Sequence, residues 1–253
     1  MPANPQLTEG VTLAPSTAGP PKRKALRRWL WRIVGLVLLL GLAYEGWIFA
    51  QILWWRGHNP GTTAFMQQGL ERRQAKNPKS VIQQTWVPYE KISVNLKRAV
   101  ITAEDQSFVS HKGFDWEAIR KAYERNKQER RSIHGGSSIT QQLAKNLFLS
   151  PSRSYLRKAQ EASITLMLEA ALSKRRILEI YLNVIEWGDG NYGAEAAARH
   201  YFGVSAAELD AEQAARLATI IPAPRRYNPL RDTDFMQRRI VFTLSFMDYA
   251  TVP

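Results

Sequence analysis

Residues 135 to 146, "GGSSITQQLAKN", place two glycines, three hydroxyls, three amides and one cation close together. Ser138 followed by Gln141 is a capping box, which predicts that a helix begins here. Such a helix would bury one apolar side and gather its polar side chains on the other. The polar set is Gln141, Gln142, Lys145 and Asn146. Because a helix N-terminus also offers free N–H groups, the segment could hold a sugar hydroxyl or a phosphate. The alternative is a surface helix with an ordinary polar side.

A second candidate is the carboxylate of Glu104. It follows Leu96 and Val100 at helical spacing and precedes Phe108 by one turn. A carboxylate on an apolar stripe is partly desolvated, which raises its pKa and makes it a better base near neutral pH. Asp105 lies about a third of a turn away and is not expected to share that setting. The alternative for Glu104 is a structural acid paired with an arginine.

A third candidate, Glu161, lies on the apolar side of its predicted helix and should be half buried. Arg157 precedes it by four residues and Lys158 by three, so both cations can pair with it. Arg153 stands one turn further back. The alternative is an ordinary intrahelical array of salt bridges.

The elements that must position these side chains are predicted to be helices. From Ile92 onward the pattern is helical almost throughout, and no alternating strand pattern persists. Tyr181 is interpreted as a core residue of one helix and His111 as a hydrogen-bonding loop residue. Capping residues indicate three further helix starts. They are Asp115, Ser205 with Glu208, and Asp210 with Gln213. The chain is therefore predicted to be mainly α.

The N-terminal part predicts a membrane anchor. Residues 33 to 55 are an apolar run with tryptophans at both ends, and six basic residues precede it. We predict a disordered basic cytoplasmic tail over residues 1–28, a transmembrane helix over 29–55, a linker over 56–84 and a catalytic domain over 85–250. A cleaved signal peptide is the alternative, but "AYEGW" is a poor cleavage site. The basic tail predicts that the domain lies outside the cytoplasm.

Composition narrows the chemistry. The 253 residues include no cysteine and four histidines, which excludes disulfides and thiolate-bound metals. The formal net charge is +13, and about +9 remains beyond residue 55. This excess indicates an anionic partner such as a phosphorylated substrate or lipid headgroups. A nucleic-acid role has no support beyond charge, since no recognition motif is present.

In their order, five segments resemble the motifs of the peptidoglycan glycosyltransferases, which polymerise lipid II into glycan strands. The segments are Glu104-Asp105 with Phe108, His111 and Gly113; "GGSSITQQLAKN"; "RKAQE"; "KRRILEIYLN"; and Arg239 with Leu244 and Met247. The resemblance runs from about residue 85 to 248. Ser138 and Thr243 depart from the commoner residues of the motifs, but neither has a charged role. No penicillin-binding transpeptidase domain follows, as in the monofunctional, membrane-anchored members.

The resemblance implies a lysozyme-like fold of two lobes, the smaller one dipping partly into the membrane. It also implies a hexosyltransferase that joins lipid II into β-1,4-linked glycan, inverts C1 and releases undecaprenyl diphosphate. A single-pass protein of the bacterial inner membrane, with its catalytic domain in the periplasm, would serve cell-wall biogenesis and cell shape. Its partners would be lipid II, the lipid-linked glycan chain, the membrane and other cell-wall synthesis or division proteins.

The resemblance further assigns site residues. Glu104 would be the catalytic base and Glu161 the second functional acid. The residues facing the diphosphate or lining the cleft would be Lys145, Arg153, Arg157, Lys158, Ser137, Gln142 and Asn146. Some members use a divalent cation at the diphosphate, which leaves Mg²⁺ or Mn²⁺ open here. The residues themselves assign no metal ligand.

Two other functions stay open from the residues. One is a lysozyme-like or lytic enzyme that cleaves finished peptidoglycan. A glycosidase needs a protonated acid for its alkoxide leaving group, whereas diphosphate is a stable anion that needs cations more than a proton. The second is a membrane-anchored binding module without catalysis, for which a base at Glu104 would have no use.

Overall fold

A computed structural model describes residues 22–128, 136–150 and 154–253, and they are mainly helical. The prediction of a mainly α chain with a single N-terminal apolar helix is confirmed. The helices are α1 (Lys22–Trp54), α2 (Ala64–Gln74), α3 (Val94–Glu104), α4 (Trp116–Gln128), α5 (Ile139–Phe148), α6 (Tyr155–Ala171), α7 (Lys174–Val184), α8 (Ala194–Phe202), α9 (Ala211–Ile220) and α10 (Asp234–Phe246). Short 3₁₀ helices cover Tyr89–Lys91 and Met247–Tyr249.

Three very short strands form a sheet that the sequence pattern did not predict. Strand β1 (Gln83–Gln84) pairs in parallel with β3 (Asn191–Tyr192), which pairs antiparallel with β2 (Glu186–Gly188). The order is β1-β3-β2. Gln83 lies opposite Asn191, and the β2–β3 register shifts between Glu186 and Gly188. Strands of two or three residues are too short to show a periodic pattern.

The chain divides into two compact units, with the boundary after Gly46 and the second unit running from Trp47 to Pro253. Helix α1 crosses this boundary. Among the described residues, it is the one helix long and apolar enough to cross a membrane, over Leu26–Trp54. Ile48 and Ile52 in its last turns are buried in the core of the second unit.

The core of the second unit brings helices from distant parts of the chain together. Helix α3 packs against α9 and α10, while α5 packs against α2, α6 and α7. Their buried faces carry Leu96 and Val100 of α3, Leu143 of α5 and Ile164 of α6, each with no exposed surface. The C-terminal end of α3 and the polar side of α5 are thereby held next to each other.

Capping explains where several of these helices begin. Both hydrogen bonds of the Ser138–Gln141 capping box are present at α5, as are those of Asp210 with Gln213 at α9. Asp115 accepts the N–H of Ala118 at 2.8 Å at the start of α4. The helix predicted after Ser205 is wrong. Ser205 and Glu208 make the expected side-chain contacts, but these contacts close a single turn. The next helix, α9, begins only at Ala211.

Candidate active site

Glu104 is the last residue of α3, and its side chain retains 9% of its exposed surface. Its Oε2 accepts a 2.7 Å hydrogen bond from Nε2 of Gln142. Its Oε1 lies 3.9 Å from the Arg239 guanidinium of α10. Burial raises the pKa of Glu104, while the Gln142 hydrogen bond and the charges of Arg239 and Lys145 act in the opposite direction. The side chain therefore has the setting of a general base rather than of a fully neutralised ion pair.

The neighbouring Asp105 is also buried, so the expectation that it lies outside this setting is wrong. Its carboxylate bonds the ring of His111 at 2.9 Å and accepts the backbone N–H of Ile139 at 3.0 Å. His111 in turn accepts the N–H of Gly113 through Nδ1, which assigns its hydrogen to Nε2. The prediction that His111 is a hydrogen-bonding loop residue is confirmed. Helix α3 ends at Glu104, and the backbone of Asp105 is not helical. The side chain of Asp105 therefore lies at the start of α5 and not where continued helical geometry would put it.

Gly113 lies further along the loop that follows Glu104. Its φ is +87°, a conformation that L side chains rarely adopt. A Cβ at this position would also meet the side chains of Thr165 and Glu169 from α6. The carbonyl of Gly113 accepts the hydroxyl of Ser138, the N-cap of α5. The loop after Glu104 is thus fastened to the first turn of α5.

Helix α5 is not a surface helix, since none of its residues is exposed. Gln142 and Lys145 are half-buried, and Asn146 is buried and donates to the carbonyl of Gln142 at 2.7 Å. Burial lowers the pKa of Lys145, while the negative charges of Glu161 and Glu104 act to raise it. Ser137, just before the helix, is exposed, and its carbonyl lies 3.5 Å from Gln142 Nε2. The alternative of a solvated polar face is therefore wrong.

Glu161 lies on α6 and is more buried than predicted, with only 3% exposure. Arg157 donates to its Oε2 at 3.0 Å, and Lys158 contacts its Oε1. The predicted pairs are therefore formed. The charges of Glu161, Arg157 and Lys158 all act on Lys145. Helices α5 and α6 therefore bring these four predicted side chains into one electrostatic cluster. Arg153 lies outside the described residues, as does Gly135 at the start of the glycine-rich segment.

A cleft of about 330 Å³ opens beside α5. Its walls come from α2, α5, the start of β2 and the loop after α9. The lining residues are Phe65, Gln142, Lys145, Asn146, Ile185, Glu186, Ile221, Pro222, Ala223, Pro224, Arg225 and Arg226. Glu104 does not line this cleft directly, but it bonds Gln142, which does. Three predicted residues thus line one cavity, and Glu104 is one hydrogen bond away from it.

The sequence patterns did not predict that the loop after α9, residues 221–226, forms one wall of this cleft. Arg225 donates two hydrogen bonds to Glu186, at 2.8 and 2.7 Å, and Glu186 is buried. This bidentate pair ties the loop to β2, and Glu186, Arg225 and Arg226 all line the cavity. The partners are 39 positions apart, so no helical or strand spacing relates them. The only signal was the pair of arginines after "PAP" in a chain with excess positive charge.

No group of three or more His, Asp or Glu side chains that could hold a metal ion occurs within the described ranges. Glu104 contacts an amide donor, and Glu161 contacts two cationic side chains.

Comparison with known proteins shows the family to which this chain belongs. The family model described as transglycosylase matches residues 71–248. The chain belongs to the transglycosylase family. The biosynthetic peptidoglycan transglycosylase of Thiobacillus denitrificans is 56% identical over 230 residues, covering 91% of this chain and 99% of that protein. The protein of the same description from Azoarcus sp. is 57% identical over 204 residues, covering 81% and 88%.

A third relative extends the same result. The biosynthetic peptidoglycan transglycosylase of Nitrosospira multiformis is 53% identical over 227 residues, covering 90% of this chain and 99% of that protein. The predicted family is confirmed, and with it the prediction of a glycosyltransferase enzyme on a lysozyme-like helical fold. A non-catalytic binding module is therefore set aside. The roles of individual residues in this transglycosylase stay predictions.

Proposed function

We propose that this transglycosylase polymerises lipid II into β-1,4-linked glycan strands, inverting C1 and releasing undecaprenyl diphosphate. One observation carries the proposal: the buried carboxylate of Glu104 is joined through Gln142 to a cleft wall that also presents Lys145. A base and a cation are thus available at one cavity. These are the two groups that transfer from a diphosphate requires.

The reaction assigns a task to each group. Glu104 takes the proton from the 4-hydroxyl of the acceptor sugar, and that oxygen forms the new bond to C1 of the donor. The bond between C1 and the diphosphate oxygen breaks, and its electron pair leaves with the diphosphate. Because attack comes opposite the leaving group, the α-linked donor gives a β-linked product. The proton on Glu104 then passes to solvent.

The departing diphosphate needs positive charge where its own charge develops. Lys145 is half-buried, and a cation in a partly dehydrated cleft interacts more strongly with an anion than one in water. Arg157 and Lys158 belong to the same electrostatic cluster as Lys145, and Glu161 contacts both of them. Glu161 is therefore assigned as the acid that orders these cations. Arg153, four residues before Arg157 in the sequence, is proposed to join them.

The proposal also places the chain in the bacterial inner membrane as a single-pass protein. Helix α1 exposes apolar side chains such as Leu38 and Leu39, and Arg27 and Arg28 lie near its N-terminal end. On the second unit, Tyr155 is 97% exposed and Leu156 82% exposed, as a lobe in contact with lipid would require. Because both substrates carry lipid tails, tethering raises their effective concentration at the enzyme. Cell-wall synthesis and division proteins are further proposed partners.

The absence of natural cysteine makes this topology testable. A single cysteine at exposed Lys79 should react with a membrane-impermeant maleimide in cells whose outer membrane has been permeabilised. A cysteine in place of Ser16, in the proposed cytoplasmic tail, should react only after lysis. Labelling in the opposite order would reject the proposed orientation.

The function itself is tested by incubating the detergent-solubilised full chain with purified lipid II and sizing the products. We expect long glycan that a muramidase degrades to disaccharide units. A parallel incubation with isolated sacculi should release no soluble fragments. Fragments from sacculi together with unchanged lipid II would favour the lytic alternative and overturn the proposal.

A further inference from the structure

The sequence predicts that Tyr181 is a core residue, which its burial confirms, and its hydroxyl also joins the hydrogen-bond network around Glu104. It lies on α7, is fully buried, and donates to Oε1 of Gln142 at 2.8 Å. The opposite end of the same amide donates to Glu104 at 2.7 Å. Within the described residues, Gln142 is the one hydrogen-bond partner of this hydroxyl. A phenol on the core side of α5 is thereby two hydrogen bonds from the base.

We propose that Tyr181 is a positioning residue of glycosyl transfer: its hydroxyl orients the Gln142 amide so that the N–H₂ group faces Glu104. This inference rests on the proposed function, because it assumes that Glu104 is the base. It adds a residue that acts through another side chain and touches no substrate.

The orientation follows from the chemistry of the three groups. A glutamine side chain has a donor end and an acceptor end, and rotation by half a turn exchanges them. Nε2 faces two groups that can only accept when Glu104 is ionised, namely its carboxylate and the Ser137 carbonyl. The turned amide would aim its carbonyl oxygen at the carboxylate. Donation from Tyr181 to Oε1 therefore adds to the same preference.

Tyr181 is suited to this task because it stays a phenol. Burial raises its pKa well above the ordinary value, and the charges of Glu104 and Asp105 act in the same direction. A donor at Oε1 polarises the amide and strengthens donation from Nε2, as expected in a chain of hydrogen bonds. The chain runs from Tyr181 through Gln142 to Glu104. Its effect is to favour the ionised base between turnovers.

Other charges also face Glu104 and set the background. Arg239 approaches from α10, Lys145 from α5, and Asp105 is its neighbour in the chain. These groups are unchanged when the Tyr181 hydroxyl is removed. The substitution Tyr181→Phe keeps the ring in the core and deletes only the donor. A shift in the titration of the base would therefore report the hydroxyl alone.

The test is the pH dependence of kcat/KM for lipid II polymerisation. Wild type should lose activity as the pH falls through the pKa of Glu104. With a weaker donor the ionised form is less favoured, so Tyr181→Phe should move this acidic limb upward by about half to one pH unit. Gln142→Leu should move it at least as far. Adding Tyr181→Phe to Gln142→Leu should cause no further movement, because the hydroxyl acts through the amide.

Tyr192→Phe is the matched control. Tyr192 is also fully buried, but its hydroxyl has no hydrogen-bond partner among the described residues. Its loss should leave the acidic limb in place. A Tyr181→Phe limb that coincides with wild type, or an equal shift in the Gln142→Leu background, would overturn the inference. Failure of wild type to polymerise lipid II would instead overturn the proposed function.

Discussion

Asp105 Oδ2 accepts the backbone N–H of Ile139 at 3.0 Å, although 34 positions separate the two residues. The residue after the proposed base thus caps the helix that carries Gln142 and Lys145. The distance between base and cleft wall is fixed by this contact and by the hydrogen bond between Gln142 and Glu104. Rigid support of this kind is what a pre-organised site requires.

The first prediction concerns this cap. Asp105→Ala removes a buried acceptor from both Ile139 N–H and His111, so it should lower the free energy of unfolding by about 1–3 kcal/mol. It should also reduce polymerisation, because α5 loses its fixed start. Urea unfolding measures the first effect. The control is Asp248→Ala, which removes a side chain that is 79% exposed and should stay within about 0.5 kcal/mol of wild type. Equal effects of the two substitutions would contradict this role.

The second prediction concerns the pH profile of the wild-type enzyme. Burial raises the pKa of Glu104 above its ordinary value of 4.5. The base acts only when ionised, so kcat/KM should fall as the pH decreases through the raised pKa. Rate measurements on lipid II between about pH 4 and 8 should place the acidic limb above pH 4.5. A limb at or below the ordinary glutamate value would show that Glu104 is not desolvated in the working enzyme.

The third prediction links the same pKa to folding. A raised pKa means that the folded state favours the protonated acid, so the contribution of Glu104 to stability is present below pH 4.5 and is lost as the pH rises through the raised pKa. Glu104→Gln should therefore have a higher Tm than wild type near pH 7, with the difference disappearing near pH 4. Calorimetry at the two pH values tests this. A lower Tm for the variant near pH 7 would contradict it.

The fourth prediction concerns charge at the leaving group. Lys145→Ala removes a half-buried cation from the cleft wall and should reduce kcat/KM roughly 10- to 100-fold, the range expected for a charged hydrogen bond. Arg157→Ala should also reduce it. Arg199→Ala is matched to Arg157→Ala, because Arg199 pairs with Glu195 at the same helical spacing but is 60% exposed, whereas Arg157 is 18% exposed. Near-wild-type rates for Lys145→Ala would reject its assigned role.

Much of the fold follows from local sequence signals. The start of α5 is marked by Ser138 and Gln141, and both capping hydrogen bonds form. The same kind of signal failed at Ser205, where the contacts form but no helix follows. A capping box stabilises a first turn, but a helix also needs a buried face to continue. Local sequence pattern therefore predicted the capping contacts correctly at both sites, but it did not predict whether a helix follows them.

The site was predicted in part for the same reason. Glu104, Glu161, Arg157 and Lys158 have neighbours at helical spacing, so their burial or pairing could be anticipated. The partnerships of Tyr181 with Gln142 and of Arg225 with Glu186 each span 39 positions. No periodicity relates such partners, and a tyrosine on an apolar helix face has the pattern of a core residue. Only the packing of α5 against α7 shows that its hydroxyl reaches the site.

The most direct test of the account is the rate of lipid II polymerisation by Glu104→Gln beside wild type, in the same detergent and at the same pH. Glutamine keeps the size and can still accept from Gln142, but it cannot take a proton. We expect a loss of at least about 100-fold, the lower end of what a general base contributes, with a cooperative unfolding transition retained. Turnover by Glu104→Gln equal to that of wild type would contradict the central claim that this buried carboxylate activates the acceptor hydroxyl.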